Sequence, residues 1–252
     1  MFNISQLLAT ELEIQPNQVE NALELLAEGA TIPFIARYRK ERTNEMNEMQ
    51  LRYLADRYTY LTELEERKKV ILNAITEQGK LSDEITVKIT SCLQKNELED
   101  LYLPYKPKRH TRATIAREKG LEPLAAFIKS LNVTNSVGAS LETEAAKYIS
   151  EEKGVKTEEE ALKGASDILA EEVGEKAELR AYLRDFLLQT GVFISHIKDE
   201  HAEGTTKFEM YRNYQIKVRN IAPHNMLAFC RGEAEKRLNF EIDFDQDFVL
   251  SY

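Results

Sequence analysis

Six basic side chains crowd into residues 104–120, PYKPKRHTRATIAREKG, against the single acid Glu118. Pro104 and Pro107 favour extended backbone, so Lys106, Lys108, Arg109 and Arg112 do not fold onto one helix face. Cations strung along an extended segment match the phosphates of a polynucleotide backbone, and aromatic rings among them stack on bases. Tyr102 and Tyr105 supply such rings. The candidate nucleic-acid-binding residues are Tyr105, Lys106, Lys108, Arg109, Arg112 and Arg117. A second reading stands beside this one. Residues 151–178 hold ten acids against four lysines and offer the cations partners within the same chain. Clustered Lys and Arg are only a footprint and do not decide between the two.

A second basic stretch, GATIPFIARYRKER at residues 29–42, reads differently. Ile32, Phe34, Ile35 and Tyr38 are expected to form a short apolar face. Arg37, Arg39, Lys40 and Arg42 fall mostly on the other side. An arginine beside an apolar face commonly pairs with a carboxylate at a helix seam, because an unpaired buried guanidinium is costly. A structural role is expected here.

Other chemistry finds no support. No Gly-rich turn leads into a Lys-Ser/Thr helix start, so there is no phosphate loop. His110, His196, His201 and His224 show no ligand spacing with Cys, Asp or Glu, and no metal or other cofactor is expected. His224 reads as a helix-start residue, and Arg231 with Glu233 as an internal ion pair. Neither a nucleophile elbow nor a papain-like Cys context occurs. Acid pairs such as Glu99-Asp100 are unremarkable among 43 acids. The expectation is a chain that is not an enzyme and takes no small-molecule substrate.

The elements that carry these residues are mostly helical. Val19, Ala22, Leu23 and Leu26 recur at helical spacing between Pro16 and Gly29, and Thr31 is placed to cap the next helix. Asn47 and Gln50 have the spacing of a capping box opening a long helix. Its inward face runs Leu54, Tyr58, Leu61, Leu64, Ile71 and Ile75 as far as Gly79, and the charges of ELEERKK keep the other face wet. Ser82 opens another helix with Ile85, Ile89, Cys92 and Leu93 inward. Residues 101–112 are expected to be an extended loop. Leu124, Phe127, Ile128 and Leu131 mark a later helix. The small, polar residues 132–140, NVTNSVGAS, divide the chain into an N-terminal helical domain, residues 1–131, and a second helical region, residues 140–252, with short β pieces. In the second region, Thr157 to Glu160 is a capping-box signature. Leu179, Tyr182, Leu183, Phe186 and Leu187 predict a helix ending at Gly191. GVFISHIK and NFEIDFD read as strands.

The fold class is therefore mostly α, a multi-helix chain with a few short late strands. A length of 252 residues allows a sizeable core without disulfides, and Cys92 with Cys230 fits a reducing compartment. The net charge of −9 excludes a uniformly nucleic-acid-coating protein and confines any such role to a local patch. The acidic N-terminus is not a signal peptide, and no apolar run approaches the roughly 20 residues of a membrane span. A soluble chain with no membrane partner is expected.

GATIPFIARYRKE, LEDLYLPYKPKRHTRATIAREKGLEPLA and MLAFCRGEAEKRL together resemble the N-terminal region of the bacterial transcription accessory protein Tex family. ALKGASDILAEE, AELRAYLRDF and KFEMYRNY follow in the expected order, so the resemblance covers essentially the whole chain. Two departures stand out. Thr43-Asn44-Glu45-Met46-Asn47-Glu48 replaces the family's Thr-Gly turn and Leu-Asp-Glu. Pro223-His224-Asn225 replaces Ser-His-Arg and removes a positive charge at position 225. Asn44 tolerates the turn conformation that Gly favours. The resemblance implies a helical region with a helix-turn-helix-like element, a cytoplasmic location and a link to transcription. It implies RNA or DNA as partner, with the transcription machinery beside it. It also implies further RNase-H-like, helix-hairpin-helix and S1 domains in family members, which makes this chain an expected N-terminal fragment or truncated relative. The functional expectation is a helical scaffold of a transcription accessory protein that contributes to nucleic-acid binding and transcription regulation. The alternative is a protein-interaction scaffold that docks RNA polymerase or other domains without touching nucleic acid.

Overall fold

A computed structural model describes residues 3–107, 110–131, 141–198 and 202–251. Among these, the chain forms fourteen α-helices and one three-stranded antiparallel sheet, and divides into two units, Met1–Lys106 and Pro107–Tyr252. The 132–140 segment, where the composition shifts, lies outside the described residues.

The first unit is entirely helical: α1 (Ile4–Leu12), α2 (Pro16–Ala27), α3 (Ile32–Tyr38), α4 (Lys40–Thr43), α5 (Glu48–Glu77), α6 (Asp83–Ser91) and α7 (Lys95–Tyr102). The long α5 is its axis. The expected capping box opens it: the Gln50 amide N–H donates to Asn47 Oδ1 at 2.9 Å, and the Asn47 N–H donates to Gln50 Oε1 at 3.0 Å. Leu51, Leu54, Leu61, Leu64, Ile71 and Ile75 are fully buried along one face and pack with Leu8, Val19, Ile35, Ile89 and Leu98. Two expectations for this helix are corrected. Tyr58 is exposed rather than inward, because its position falls at the edge of the apolar stripe. Lys68, within the charged ELEERKK run, is buried. Its ammonium donates to Glu65 Oε1 at 2.7 Å and to the Thr90 carbonyl at 2.9 Å, which offsets its desolvation.

Other caps follow the sequence closely. Thr31 occupies the N-cap of α3, but its side chain makes no capping bond, and Pro33 sits in the first turn. Ser82 accepts from the Ile85 N–H at 3.3 Å. Asn44 takes the left-handed conformation, φ 51°, followed by Glu45 at 64°. Asn44 thus takes the turn conformation expected of it. Residues 101–105 do not form the expected extended loop. Helix α7 continues to Tyr102, and Leu103–Tyr105 add a single tighter turn. Pro104 is compatible with that first turn because its missing N–H has no helical acceptor there.

The second unit begins with α8 (Arg112–Glu118) and α9 (Glu122–Ser130), both packed on α11 (Glu158–Gly174), with the short α10 (Leu141–Ala145) beside them. Ala113, Ala116, Leu121, Leu124, Ala161, Ala165 and Ile168 form the seam. Small residues let the helices approach closely: a Cβ on Gly164 would lie 2.3 Å from Leu121 Cδ1. Thr157 caps α11 by accepting the Glu160 N–H at 3.2 Å, while the Glu160 carboxylate reaches back to the Lys156 N–H at 2.7 Å. Helix α12 (Ala177–Thr190) ends at Gly191 as the sequence predicts.

The remaining elements are β1 (Val192–Ile197), β2 (Asn213–Lys217), α13 (Pro223–Ala234), β3 (Leu238–Asp243) and α14 (Gln246–Ser251). The strands lie in the order β2-β1-β3, with Phe193 opposite both Ile216 and Ile242. The two predicted strands are β1 and β3; β2 escaped notice, although Tyr214 and Ile216 alternate with polar residues in NYQIK. One face of the sheet packs on α13, where Phe229 meets Phe193 at 4.5 Å between ring centroids and Tyr211 at 4.8 Å. Asn225 accepts from the Tyr211 hydroxyl at 3.1 Å and donates to that of Tyr214 at 3.2 Å. His224 sits in the first turn of α13. Arg231 and Glu233 are both exposed and form no ion pair among the described residues, because neighbours two apart on a helix diverge.

Candidate nucleic-acid interface

The basic segment is described in two pieces, and Lys108 and Arg109 lie outside the described residues. In the first unit, Tyr105 is half-buried against the helical core, and its carbonyl accepts from Gln78 Nε2 at 2.8 Å. Tyr102 is buried beneath the Arg67 guanidinium, 5.4 Å from its ring centroid, so it is a core residue. Lys106 is exposed and forms no ion pair among the described residues. Its charge acts through space on Glu99, whose acidity owes most to the hydrogen bonds from Arg67.

In the second unit, Thr111 caps α8 by accepting the Thr114 N–H at 3.0 Å. Arg112 is the first residue of that helix, exposed and without an ion pair among the described residues. It lines a shallow cleft of about 250 Å³ with Lys119, Lys163, Glu160 and Asp167. Arg117, five residues along the same helix, is engaged instead. Its Nη1 donates to Glu171 Oε2 at 2.6 Å, and Thr111 Oγ1 donates to Glu171 Oε1 at 2.9 Å. The Arg117 and Glu171 side chains are 28% and 14% exposed. For Arg117 the acidic 151–178 segment does supply a partner, and that pairing raises its pKa further. Lys119 donates to the Gly154 carbonyl at 3.0 Å. The site residues thus separate by environment: Lys106 and Arg112 are open, Tyr105 is partly covered, and Arg117 is engaged.

The Glu99-Asp100 acid pair is similarly committed. Arg67 grips Glu99 in a fork, Nε at 2.6 Å and Nη2 at 3.1 Å, and those bonds hold its carboxyl below the usual range. Asp100 is buried. Burial pushes the Cys92 thiol up, away from a nucleophilic thiolate. No group of three or more His, Cys, Asp or Glu suited to a metal ion occurs among the described residues, and no helix there is long and apolar enough to cross a membrane.

Residues 2–76 match a family profile described as "Tex-like protein N-terminal domain", and residues 138–249 match one described as "Tex central region-like". "Transcriptional accessory protein Tex" of Neisseria gonorrhoeae is 43% identical over 247 residues, 98% of this chain and 32% of that protein. The chain belongs to the Tex family. Two further relatives show the likeness. "Uncharacterized protein YdcI" of Bacillus subtilis is 39% identical over 250 residues, 99% of this chain and 34% of that protein. "S1 RNA-binding domain-containing protein 1" of Homo sapiens is 27% identical over 249 residues, 96% of this chain and 24% of that protein. The chain spans about a third of the length of the bacterial relatives it matches.

Proposed function

We propose that this chain is a helical scaffold of a transcription accessory protein and contributes to binding RNA or DNA through its basic segment. The observation that carries the reading is the condition of Lys106 and Arg112. Both are exposed, and neither is neutralised by an ion pair among the described residues, although the chain carries a net charge of −9. Cations left open on an acidic body attract polyanions locally, through phosphates rather than base edges. The names of the gonococcal and human relatives support transcription and RNA as the setting. We infer a cytoplasmic location, the transcription machinery as a further partner, and no catalytic role.

Fluorescence anisotropy with labelled single- and double-stranded oligonucleotides tests this. Each phosphate contact lowers log K by about 0.9 per decade of salt on duplex and about 0.7 on single strand. The Lys106→Glu/Arg112→Glu variant is expected to weaken binding and flatten the duplex slope by about 2. An unchanged slope removes the basic segment from the interface.

A second reading, a protein-interaction scaffold, is favoured by the exposed apolar side chains of Leu227, Phe248 and Leu250 in the second unit. A transcription protein retained by the chain after the Lys106→Glu/Arg112→Glu change, and lost after Leu227→Ser, supports it.

A further inference from the structure

The expectation that Phe34 and Tyr38 are core residues fails. Ile35 on the same helix α3 is fully buried, but Phe34 is 40% exposed and Tyr38 63%. Four residues apart, they share one helix face, with ring centroids 5.4 Å apart and planes tilted by 44°. The Arg39 guanidinium lies over Phe34, 5.2 Å from its centroid, and Arg39 Nη1 donates to the Tyr38 carbonyl at 3.1 Å. Arg37 and Lys40 are exposed and form no ion pair among the described residues. The nearest cation in sequence, Arg42, contrasts with them: it is tied to Glu24 at 2.5 Å. The anions in the same stretch are Glu41 and Glu45, both exposed.

The short α4 that follows is anchored to α2. Gln18 Nε2 donates to the Thr43 carbonyl at 3.1 Å, and Asn21 Nδ2 donates to the Arg42 carbonyl at 2.9 Å. Thr43 itself is fully buried. Two exposed rings and a cation already stacked on one of them therefore precede an anchored turn, with Arg37 and Lys40 close in sequence and without an ion pair among the described residues. A buried helix seam needs none of this. A water-exposed aromatic pair among cations has the chemistry of a surface that takes π-faces and phosphates together.

We propose that Phe34, Arg37 and Tyr38 on the outer face of α3, with Arg39 and Lys40 at its junction with α4, form a stacking platform for single-stranded nucleic acid. Charge complementarity selects a polyanion: these three cations outnumber Glu41 and Glu45 on a chain that is acidic elsewhere. Exposed rings select a single strand, because in a duplex the base faces are already stacked and closed to side chains. The proposal rests on the reading that this chain contacts nucleic acid, but uses none of residues 104–120.

The test uses the whole chain and three labelled probes: a single strand, its duplex, and an abasic strand of the same length. Phe34→Ala/Tyr38→Ala is expected to weaken single-strand binding at least about fivefold. It should leave the salt slope unchanged, since no cation is lost, and leave the duplex and abasic affinities at wild-type values. Arg37→Ala/Lys40→Ala is expected to flatten the single-strand slope by about 1.4, at about 0.7 per contact. Circular dichroism melts should match wild type for both variants, because all four side chains are exposed or partly exposed at the surface. Single-strand affinity unchanged in Phe34→Ala/Tyr38→Ala overturns the platform. So does wild-type binding as tight to the abasic strand as to the single strand. If those results accompany a loss in Lys106→Glu/Arg112→Glu, the basic-segment reading survives alone. The opposite pattern leaves the platform standing without that segment. Binding of an acidic peptide in preference to every strand assigns the face to a protein and overturns both.

Discussion

At the scale of single residues, the question raised by the basic segment has different answers for different side chains. Arg117 and Arg112 are five apart, carry the same charge and stand on one helix, yet Arg117 is bound to Glu171 while Arg112 is open. The two therefore respond oppositely to substitution. Arg117→Ala is expected to cost about 1–2 kcal/mol, as a charge-assisted bond in a half-buried setting is lost. Its oligonucleotide affinity and salt slope should match wild type. Arg112→Ala should leave the urea midpoint in place and reduce the salt slope. Paired urea melts and anisotropy titrations on the two variants separate these outcomes. Sequence proximity cannot distinguish the two arginines, because the deciding partner of Arg117 lies 54 positions away.

At the scale of elements, most of the architecture follows from short-range rules. The Asn47–Gln50 box, the Ser82 and Thr157 caps and the glycine past α12 are set by residues within one turn. The errors lie where an element meets its neighbours. Apolar spacing makes Phe34, Tyr38 and Tyr58 look inward, but the seven-residue α3 buries only Ile35 fully, and Tyr58 falls at the edge of the long α5 stripe. Lys68 was hidden by its own charge. Strand β2 was hidden by its length of five residues, although its alternation was legible. The α8–α11 seam gives a sharp test. Gly164→Ala ordinarily stabilises a helix interior by about 1 kcal/mol. Here its Cβ would meet Leu121 Cδ1 at 2.3 Å, so the substitution is expected to destabilise by about 1–3 kcal/mol instead. Combining it with Leu121→Ala should cost less than the sum of the two single changes, as read from urea midpoints.

For the whole molecule, acid stability follows from the forked ion pairs. Arg57 binds Glu11 at 3.0 and 2.8 Å, and Arg67 binds Glu99. In each case hydrogen bonds from the arginine hold the carboxyl below its ordinary value. Glu209 is lowered to about 2, chiefly by Arg212. With folded pKa values depressed, the unfolded chain binds more protons, so stability rises with pH through the ordinary carboxylate range near 4.3. The contribution is full above that range and is lost as pH falls through the folded values. Urea midpoints should be flat from pH 6 to pH 7 on this account and fall below about pH 4.5. Glu11→Gln and Glu99→Gln should each shallow that acid fall.

The sequence alone determined the helical class, the two late strands, most helix ends and the family likeness. These depend on periodicity, caps and contiguous motifs, all of which act over a few residues. Only the tertiary structure decided which cations are open to solvent, and it exchanged some of the expected roles. Arg117 became a buried-edge ion pair, while Phe34 and Tyr38 left the core for the surface. The physical reason is that neutralising a charge or covering a ring requires a partner brought in from far along the chain, and no local pattern records which partner arrives.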